Sequence, residues 1–298
     1  MAAQPIQFLD PEILASIAGM ELRARAVVEG FLSGLHRSPY KGFSVEFAEY
    51  RQYTPGDDPR HIDWKVYART DRYYVKEFEE ETNLACHILL DLSKSMTYAS
   101  GKTSKLTYGS YLAASLAYLM FRQRDAVGLI TFDDRIRTHL PARIKPGHLH
   151  SLLIALEHLT PGERTDIAAP LHQIADFLNK KGLIILISDL LDDPDRILEA
   201  LQHFRFRGHE IIVFQVMDHA ELTFPFHSTT RFVGLEGEGQ VLTVPQSVKD
   251  QYLEKLQQHT ERLRKGCGLH HIDYTVLDTK RPLDFALQEY LAARAGKL

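Results

Sequence analysis

The stretch CHILLDLSKS, from Cys86 to Ser95, decides the fold. Its first seven residues, 86–92, are mostly apolar and form a run short enough for a single strand that is buried on both faces. The run leads directly into the pattern Asp91-x-Ser93-x-Ser95, so a carboxylate and two hydroxyls stand at the carboxyl end of the strand. The stretch therefore predicts a buried strand that opens into a polar loop.

After Asn83 the sequence alternates between short apolar runs and longer amphipathic ones. The apolar runs predict strands at 86–92, 126–132, 183–188, 210–217 and 271–277. The amphipathic runs predict helices at 106–122, 149–159, 167–178, 195–206, 247–264 and 283–293. Such alternation is typical of an α/β fold, in which a mainly parallel sheet carries helices on both faces. These sheets bind ligands at the carboxyl ends of their strands.

The chain before residue 83 has a different texture. A helix start at Asp10 and apolar residues at helical spacing predict a helix that runs to about Gly34. Residues 38–82 are rich in aromatic, charged and turn-forming side chains, and they predict strands at 44–53 and 73–81. We therefore expect two domains and a β-rich insertion in the second, with these bounds: 1–82, 83–298 and, for the insertion, about 221–246.

Composition limits the class of function. The 298 residues carry a net charge of −4, whereas nucleic-acid binders usually show a basic excess. The two cysteines, Cys86 and Cys267, do not make a disulfide framework and favour a reducing compartment. The sequence has neither a secretory-signal pattern nor an apolar run long enough to span a bilayer. We expect a cytoplasmic protein that has no nucleic-acid partner and no membrane span.

Three predicted loops carry oxygen ligands at one edge of the sheet. The first strand leads into Asp91, Ser93 and Ser95, the strand at 183–188 leads into Asp189, and Thr165 lies just before a helix. Carboxylates and hydroxyls suit a hard cation such as Mg²⁺, Mn²⁺ or Ca²⁺. Hydroxyl ligands leave such a cation under-neutralised, so it would accept a carboxylate from a partner. These five residues are therefore the predicted metal ligands.

This ligand pattern resembles the metal-ion-dependent adhesion site of von Willebrand factor A domains. The resemblance implies direct ligation by Ser93 and Ser95, with Thr165 bound directly or through water. It implies that the two aspartates act largely through water and hydrogen bonds, and that an acidic group of a partner takes the sixth position. One position departs from the family pattern, because Leu190 stands where a glycine commonly follows the last Asp.

A second group of motifs lies before the first strand. It consists of Arg37-Ser38-Pro39, Gly42, Glu46-Phe47, Arg51, Tyr53, Pro55-Gly56-Asp57-Asp58, Arg60, Ile62-Asp63-Trp64, Ala68-Arg69 and the stretch 77–81. Together these motifs resemble the bacterial family called domain of unknown function 58. Members are frequently paired with MoxR-type AAA+ ATPases, so the resemblance implies such a partner. Many members are membrane-anchored, and this chain looks like the short soluble type.

These features predict a non-catalytic adaptor that binds protein partners through a metal ion. A second partner surface is expected at Arg51, Asp57, Asp58, Arg60, Asp63, Trp64 and Arg69. One alternative is a metal-dependent phosphoesterase or nuclease in which acids of that surface hold Mg²⁺, although ion pairs with the neighbouring arginines explain the same acids. The other alternative is a purely structural subunit. A serine hydrolase is not predicted, because the sequence lacks a Gly-x-Ser-x-Gly elbow and a recognisable triad histidine.

Overall fold

The computed structural model describes residues 11–14, 19–35, 50–52, 67, 74–76, 85–145, 147–162, 166–235 and 239–295. The chain divides into two compact units, one made of Met1–Arg37 with Leu84–Leu298 and the other of Ser38–Asn83. In the smaller unit, strand β1 (Tyr50–Gln52) pairs antiparallel with strand β2 (Tyr74–Lys76). Both strands lie within the ranges predicted from the sequence.

The larger unit contains the remaining strands and all the labelled helices. Its strands are β3 (Ala85–Asp91), β4 (Ala126–Phe132), β5 (Ile136–Arg143), β6 (Leu183–Ser188), β7 (Glu210–Met217), β8 (Thr230–Val233), β9 (Gln240–Thr243) and β10 (Asp273–Asp278). Its helices are α1 (Pro11–Leu14), α2 (Met20–Leu35), α3 (Lys105–Arg122), α4 (His148–Glu157), α5 (Ala168–Phe177), α6 (Pro194–Phe206), α7 (His219–Thr223), α8 (Pro245–Leu269) and α9 (Leu283–Ala295). Among the described residues, no helix combines the length and the apolar character needed to cross a membrane.

The main sheet has six strands in the order β10-β7-β6-β3-β4-β5. Neighbouring strands are parallel, except that β5 runs antiparallel to β4. The first strand, β3, has β4 on one side and β6 on the other, so the order of the strands reverses at β3. In open parallel sheets the crevice at such a reversal, beyond the carboxyl ends of the strands, is the usual place for a ligand. Here that crevice lies between the ends of β3 and β6.

Helices cover both faces of the sheet, as predicted for the α/β class. Successive side chains of a strand point to opposite faces, and on β3 Ile88 and Leu90 join one apolar cluster while Leu89 joins the other. The first cluster also contains residues of α2, α3, α4 and α9, and the second contains residues of α5, α6 and α8. The six residues of β6 are all buried, which explains why its first five residues are apolar.

Strand β5 was not predicted from the sequence. Its side chains alternate between half-buried and exposed, because it forms one edge of the sheet and packs on one face only. Pro141 is tolerated within it because an edge strand does not need every amide as a donor. The antiparallel hairpin of β8 and β9 lies within the range 221–246.

The prediction of one continuous helix to about Gly34 was wrong. Helix α1 is described over Pro11–Leu14, and α2 begins at Met20. Just before α2, Gly19 has a φ of +80°, a left-handed conformation that a right-handed helix does not contain. The new helix therefore begins after a glycine that redirects the backbone.

Candidate metal centre

The carboxylate of Asp91 lies at the end of β3 and is fully buried. Its Oδ1 accepts a hydrogen bond from the Ser93 amide at 2.7 Å, and its Oδ2 accepts one from the Ser188 hydroxyl at 2.6 Å. The first bond fixes the loop that follows β3, and the second joins this loop to the end of β6. Asp91 therefore organises the crevice where the order of the strands reverses.

The hydroxyls of Ser93 and Ser95 lie side by side in that loop, with their Oγ atoms 3.0 Å apart. Ser93 is buried and Ser95 is half-buried, and a 3₁₀ turn at Lys94–Thr97 carries Ser95 back over Ser93. The x-Ser-x-Ser spacing thus brings two hydroxyl oxygens to one point. This is the arrangement that two direct ligands of a single cation require.

Asp189 follows β6 on the other side of the crevice and is also fully buried. Its carbonyl oxygen accepts a hydrogen bond from Gln215 Nε2 at 2.8 Å. The next residue, Leu190, has a φ of +53°, a conformation that favours glycine. The backbone therefore adopts a left-handed conformation at the position where the family commonly has glycine, although a leucine occupies it. Leu190 has no exposed surface, so its side chain contributes to the core.

A buried lysine, which was not predicted from the sequence, lies between Asp189 and Glu221. Lys105, in the first turn of α3, donates through Nζ to Asp189 Oδ2 and to Glu221 Oε1, each at 2.8 Å. The side chains of Lys105 and Asp189 have no exposed surface, and that of Glu221 is 15% exposed. Lys105 therefore neutralises part of the acidic charge in the crevice and links the end of β6 to α7.

Thr165 lies outside the described residues, so its place among the ligands stays a prediction. On one side of it, the Gly162 amide donates to the Leu92 carbonyl at 2.7 Å, which joins this connection to the loop after β3. On the other side, Asp166 is held by Arg196, whose NH2 lies 3.0 Å from Asp166 Oδ1. Both bonds are made by residues within three positions of Thr165.

The predicted second surface also lies largely outside the described residues. For Arg51 only the backbone, within β1, is described. The other members have no described position: Asp57, Asp58, Arg60, Asp63, Trp64 and Arg69. A role for these side chains in partner binding, or in holding Mg²⁺ for catalysis, therefore stays a prediction.

Electrostatics in the crevice reflect two buried carboxylates close together. Burial raises the pKa of Asp91 to about 7, and the negative charge of Asp189 acts in the same direction. Burial acts to lower the pKa of Lys105, but the charges of Asp189 and Glu221 more than offset it and leave this pKa raised. Burial also raises the pKa of Glu221, although Lys105 opposes the shift. The crevice thus favours an additional positive charge.

The side chains present fit a hard divalent cation. The donor atoms that face one another are hydroxyl and carboxylate oxygens, which Mg²⁺, Mn²⁺ and Ca²⁺ prefer. The described residues contain no cluster of three or more His, Cys, Asp or Glu side chains arranged to hold a metal ion. A cation in this crevice would therefore depend on the hydroxyls of Ser93 and Ser95.

Three further acidic residues at this edge, Asp133, Asp218 and Asp278, were not predicted from the sequence. All five parallel strands have an Asp at or just beyond the carboxyl end: Asp91, Asp133, Asp189, Asp218 and Asp278. Asp218 caps α7 in a capping box with Glu221, and its Oδ2 accepts a hydrogen bond from the Ser100 amide at 3.0 Å. The spacing Asp218-x-x-Glu221 is a recognisable signal of such a box. No comparable signal marks Lys105 as a partner of Asp189.

The family model described as "Protein of unknown function DUF58" matches residues 49–262, which is more than half of the chain. The chain belongs to the DUF58 family. The resemblance that the motifs between Arg37 and Met96 carry is thereby confirmed.

Two relatives of this DUF58 chain are uncharacterized proteins of Mycobacterium tuberculosis (strain H37Rv) and Mycobacterium bovis. Each is 26% identical to it over 266 residues, and the match covers 87% of this chain and 83% of the relative. The similarity therefore extends over most of both proteins.

Among solved structures, the DUF58 chain is similar to the conserved hypothetical protein BatB from Bacteroides thetaiotaomicron. The TM-score is 0.50 at 21% identity, over 71% of this chain and 99% of that one. The VWA domain of SpRpn10 also matches, with a TM-score of 0.38 at 12% identity over 68% of this chain and 94% of that domain. At these identities the likeness concerns the fold alone. The predicted α/β fold, a mainly parallel sheet with helices on both faces, is confirmed.

We expect the metal-free DUF58 protein to lose stability as the pH rises from 3.8, the ordinary pKa of Asp91, to about 7. The folded state holds the Asp91 proton more tightly than the unfolded state does, so the stabilisation is complete below this window and is lost as the pH rises through the folded pKa. Melting temperatures of Asp91→Asn in chelator should vary less across the window than those of wild type. Parallel curves for the two proteins would contradict the prediction.

A pair of substitutions at Leu190 tests the left-handed turn. Leu190→Ala and Leu190→Gly both leave a cavity, which costs about 2–5 kcal/mol. Only glycine relieves the positive φ, a gain of about 1–2 kcal/mol. Leu190→Gly should therefore be the more stable variant in urea unfolding, although it removes more atoms. The reverse order would show that the backbone is not strained at this position.

Proposed function

We propose that this protein is a non-catalytic adaptor that binds a protein partner through one divalent cation in the crevice between β3 and β6. The observation that carries the proposal is the pair of hydroxyls of Ser93 and Ser95, 3.0 Å apart, in the crevice whose strand ends carry the buried carboxylates of Asp91 and Asp189. In a fold that binds ligands at this edge, such an oxygen cluster supports a cation site.

Each residue of the site would have its own task. By resemblance to the adhesion sites of von Willebrand factor A domains, Ser93 and Ser95 would hold the cation directly, and Thr165 would hold it directly or through water. Asp91 and Asp189 would act through water, while Asp91 keeps the Ser93 amide in place. The bound cation supplies an open coordination position that attracts an acidic side chain of the partner.

The partner that we propose is a MoxR-type AAA+ ATPase, because proteins with the DUF58 motifs are frequently paired with such enzymes. The shared task would be the assembly or maturation of a protein complex, in the cytoplasm, where the ATPase has access to ATP. This role needs a binding site and no reacting group. Lys105, which could otherwise serve as a base, instead stands between two carboxylates.

The test is binding of the purified MoxR-type ATPase of the same organism to the full chain, measured with excess Mg²⁺ and again with chelator. We expect binding that chelator abolishes and that Ser93→Ala weakens by at least about tenfold, which corresponds to about 1.4 kcal/mol. Ser247→Ala is the matched control, because Ser247 is exposed at the start of α8. Equal binding by wild type and Ser93→Ala would overturn the metal-dependent role.

A further inference from the structure

An apolar cavity of about 500 Å³ opens beside the candidate cation site. We call it the aromatic groove and define it by six of its lining residues: Tyr98, Phe224, Phe226, Phe232, Val241 and Tyr252. Its volume falls within the range of pockets that bury small ligands, about 300–1,000 Å³. The groove therefore has room for large apolar side chains of a binding partner.

The aromatic side chains of the groove are packed against one another. The ring of Phe224 lies 4.9 Å from the ring of Tyr252 and 5.7 Å from that of Phe232, and the rings of Phe226 and Phe232 are 5.3 Å apart. The segment that follows α7, strand β8 and helix α8 thus contribute rings that pack together to form the walls of the groove. Such contacts hold the groove in shape before a ligand arrives.

The groove is joined to the candidate cation site by residues that belong to both. Tyr98 follows Ser95 by three positions in the loop after β3, and Glu221 lines the groove while it binds Lys105. Lys105 in turn binds Asp189. Helix α8 adds a further link, because His259 Nε2 lies 2.8 Å from the Leu190 carbonyl oxygen. The two features are therefore connected through shared residues and buried hydrogen bonds.

The charged residues near the candidate cation site and the aromatic groove favour an acidic ligand. The only charged residues in the loop 92–104 are Lys94 and Lys102, and both are exposed. Lys255, also exposed, lines the groove. The other charged residue of the lining, Glu221, is engaged by Lys105. A ligand that spans the candidate cation site and the aromatic groove would thus meet positive charge beside apolar walls.

We propose that the aromatic groove and the candidate cation site together bind one segment of a partner protein. That segment carries an acidic side chain for the cation and, a short distance along the chain, a large apolar side chain for the groove. This inference rests on the proposed function, because the acidic side chain needs the cation, and it adds the apolar half of the recognition.

The probes are short random peptides displayed on phage, selected on the full chain with excess Mg²⁺ and eluted with chelator. Selected peptides should combine Asp or Glu with Phe, Leu or Trp at a constant spacing. Their affinities are then measured for wild type, Ser93→Ala and a matched pair in β9. In this pair, Val241→Gln alters the groove, whereas Leu242→Gln alters the opposite face of the same strand. Val241 and Leu242 are 63% and 67% exposed, so neither change disturbs the core.

We expect Val241→Gln to weaken peptide binding by about tenfold, as the loss of one apolar contact implies, and Leu242→Gln to leave it unchanged. Replacing the apolar residue of the peptide by Ala should weaken binding to wild type but not to Val241→Gln. Ser93→Ala should abolish binding of the selected peptide and of its Ala-substituted form.

Three results would overturn the inference. Acidic peptides that chelator releases and that bind Val241→Gln as tightly as wild type would leave the proposed function standing and exclude the groove. Selection of no chelator-sensitive peptide would remove both the groove proposal and the proposed function. A wild-type dimer that Val241→Gln converts to a monomer would assign the groove to a second copy of this chain.

Discussion

Lys105→Met is expected to lower the free energy of unfolding of the metal-free protein by about 3–5 kcal/mol, which is the usual cost of breaking a buried ion pair. Lys105 Nζ is 2.8 Å from a carboxylate oxygen of Asp189 and 2.8 Å from one of Glu221. Methionine fills much of the same volume, so the main loss is that of the positive charge between two acids. Unfolding in urea at neutral pH measures the change.

Two further variants separate this charge effect from a general effect of losing a lysine. Lys265→Met is the matched control, because Lys265 lies on α8 with 74% of its side chain exposed, and it should change stability little. Adding Glu221→Gln to Lys105→Met should restore part of the loss, since it removes one of the uncompensated acids. A Lys105→Met protein as stable as Lys265→Met would contradict the role given to this buried charge.

Gly162→Ala is expected to destabilise the protein by about 1–3 kcal/mol, the usual cost of overpacking. A Cβ at this position would lie 2.0 Å from Asp133 Oδ2 and 2.7 Å from Asp133 Cβ. Asp133 cannot move away freely, because it is buried, accepts from the Arg135 amide at 3.1 Å and pairs with Arg137. The connection that carries Gly162 must therefore shift instead.

This shift should also weaken cation binding. The Gly162 amide donates to the Leu92 carbonyl within the crevice, and Thr165 follows three residues later. The matched control is Gly268→Ala, since a Cβ there would meet nothing within 4 Å. Thermal melts with and without Mg²⁺ compare the two variants. If both had wild-type stability and an equal response to Mg²⁺, the connection would not contribute to the site.

The parallel core of the fold could be predicted because its strands are buried on both faces. Such strands are mostly apolar, so β3, β6 and β7 stand out in the sequence as short apolar runs. The edge strand β5 packs on one face only, and its mixed composition hid it. The break before α2 was missed because its cause is the backbone conformation of Gly19, which apolar spacing does not report.

The candidate site was predictable to the extent that local spacing defines it. Asp91, Ser93 and Ser95 lie within five residues, and the strand ends bring Asp189 to the same crevice. Lys105 was missed because it is 84 residues from Asp189 and 116 residues from Glu221, and only the folded chain brings the three together. The left-handed conformation of Leu190 was equally hidden, since a leucine does not signal a positive φ.

The measurement that tests the central claim most directly is a melting-temperature titration of the chelator-stripped full chain with Mg²⁺, Mn²⁺ and Ca²⁺, run beside Asp91→Ala and Ser93→Ala. A ligand that binds only the folded state stabilises it by about 2.7 kcal/mol at one hundred times its dissociation constant. We predict a saturable upward shift in wild type that both variants lack. No shift with any ion, or an equal shift in all three proteins, would contradict a cation site at the ends of β3 and β6.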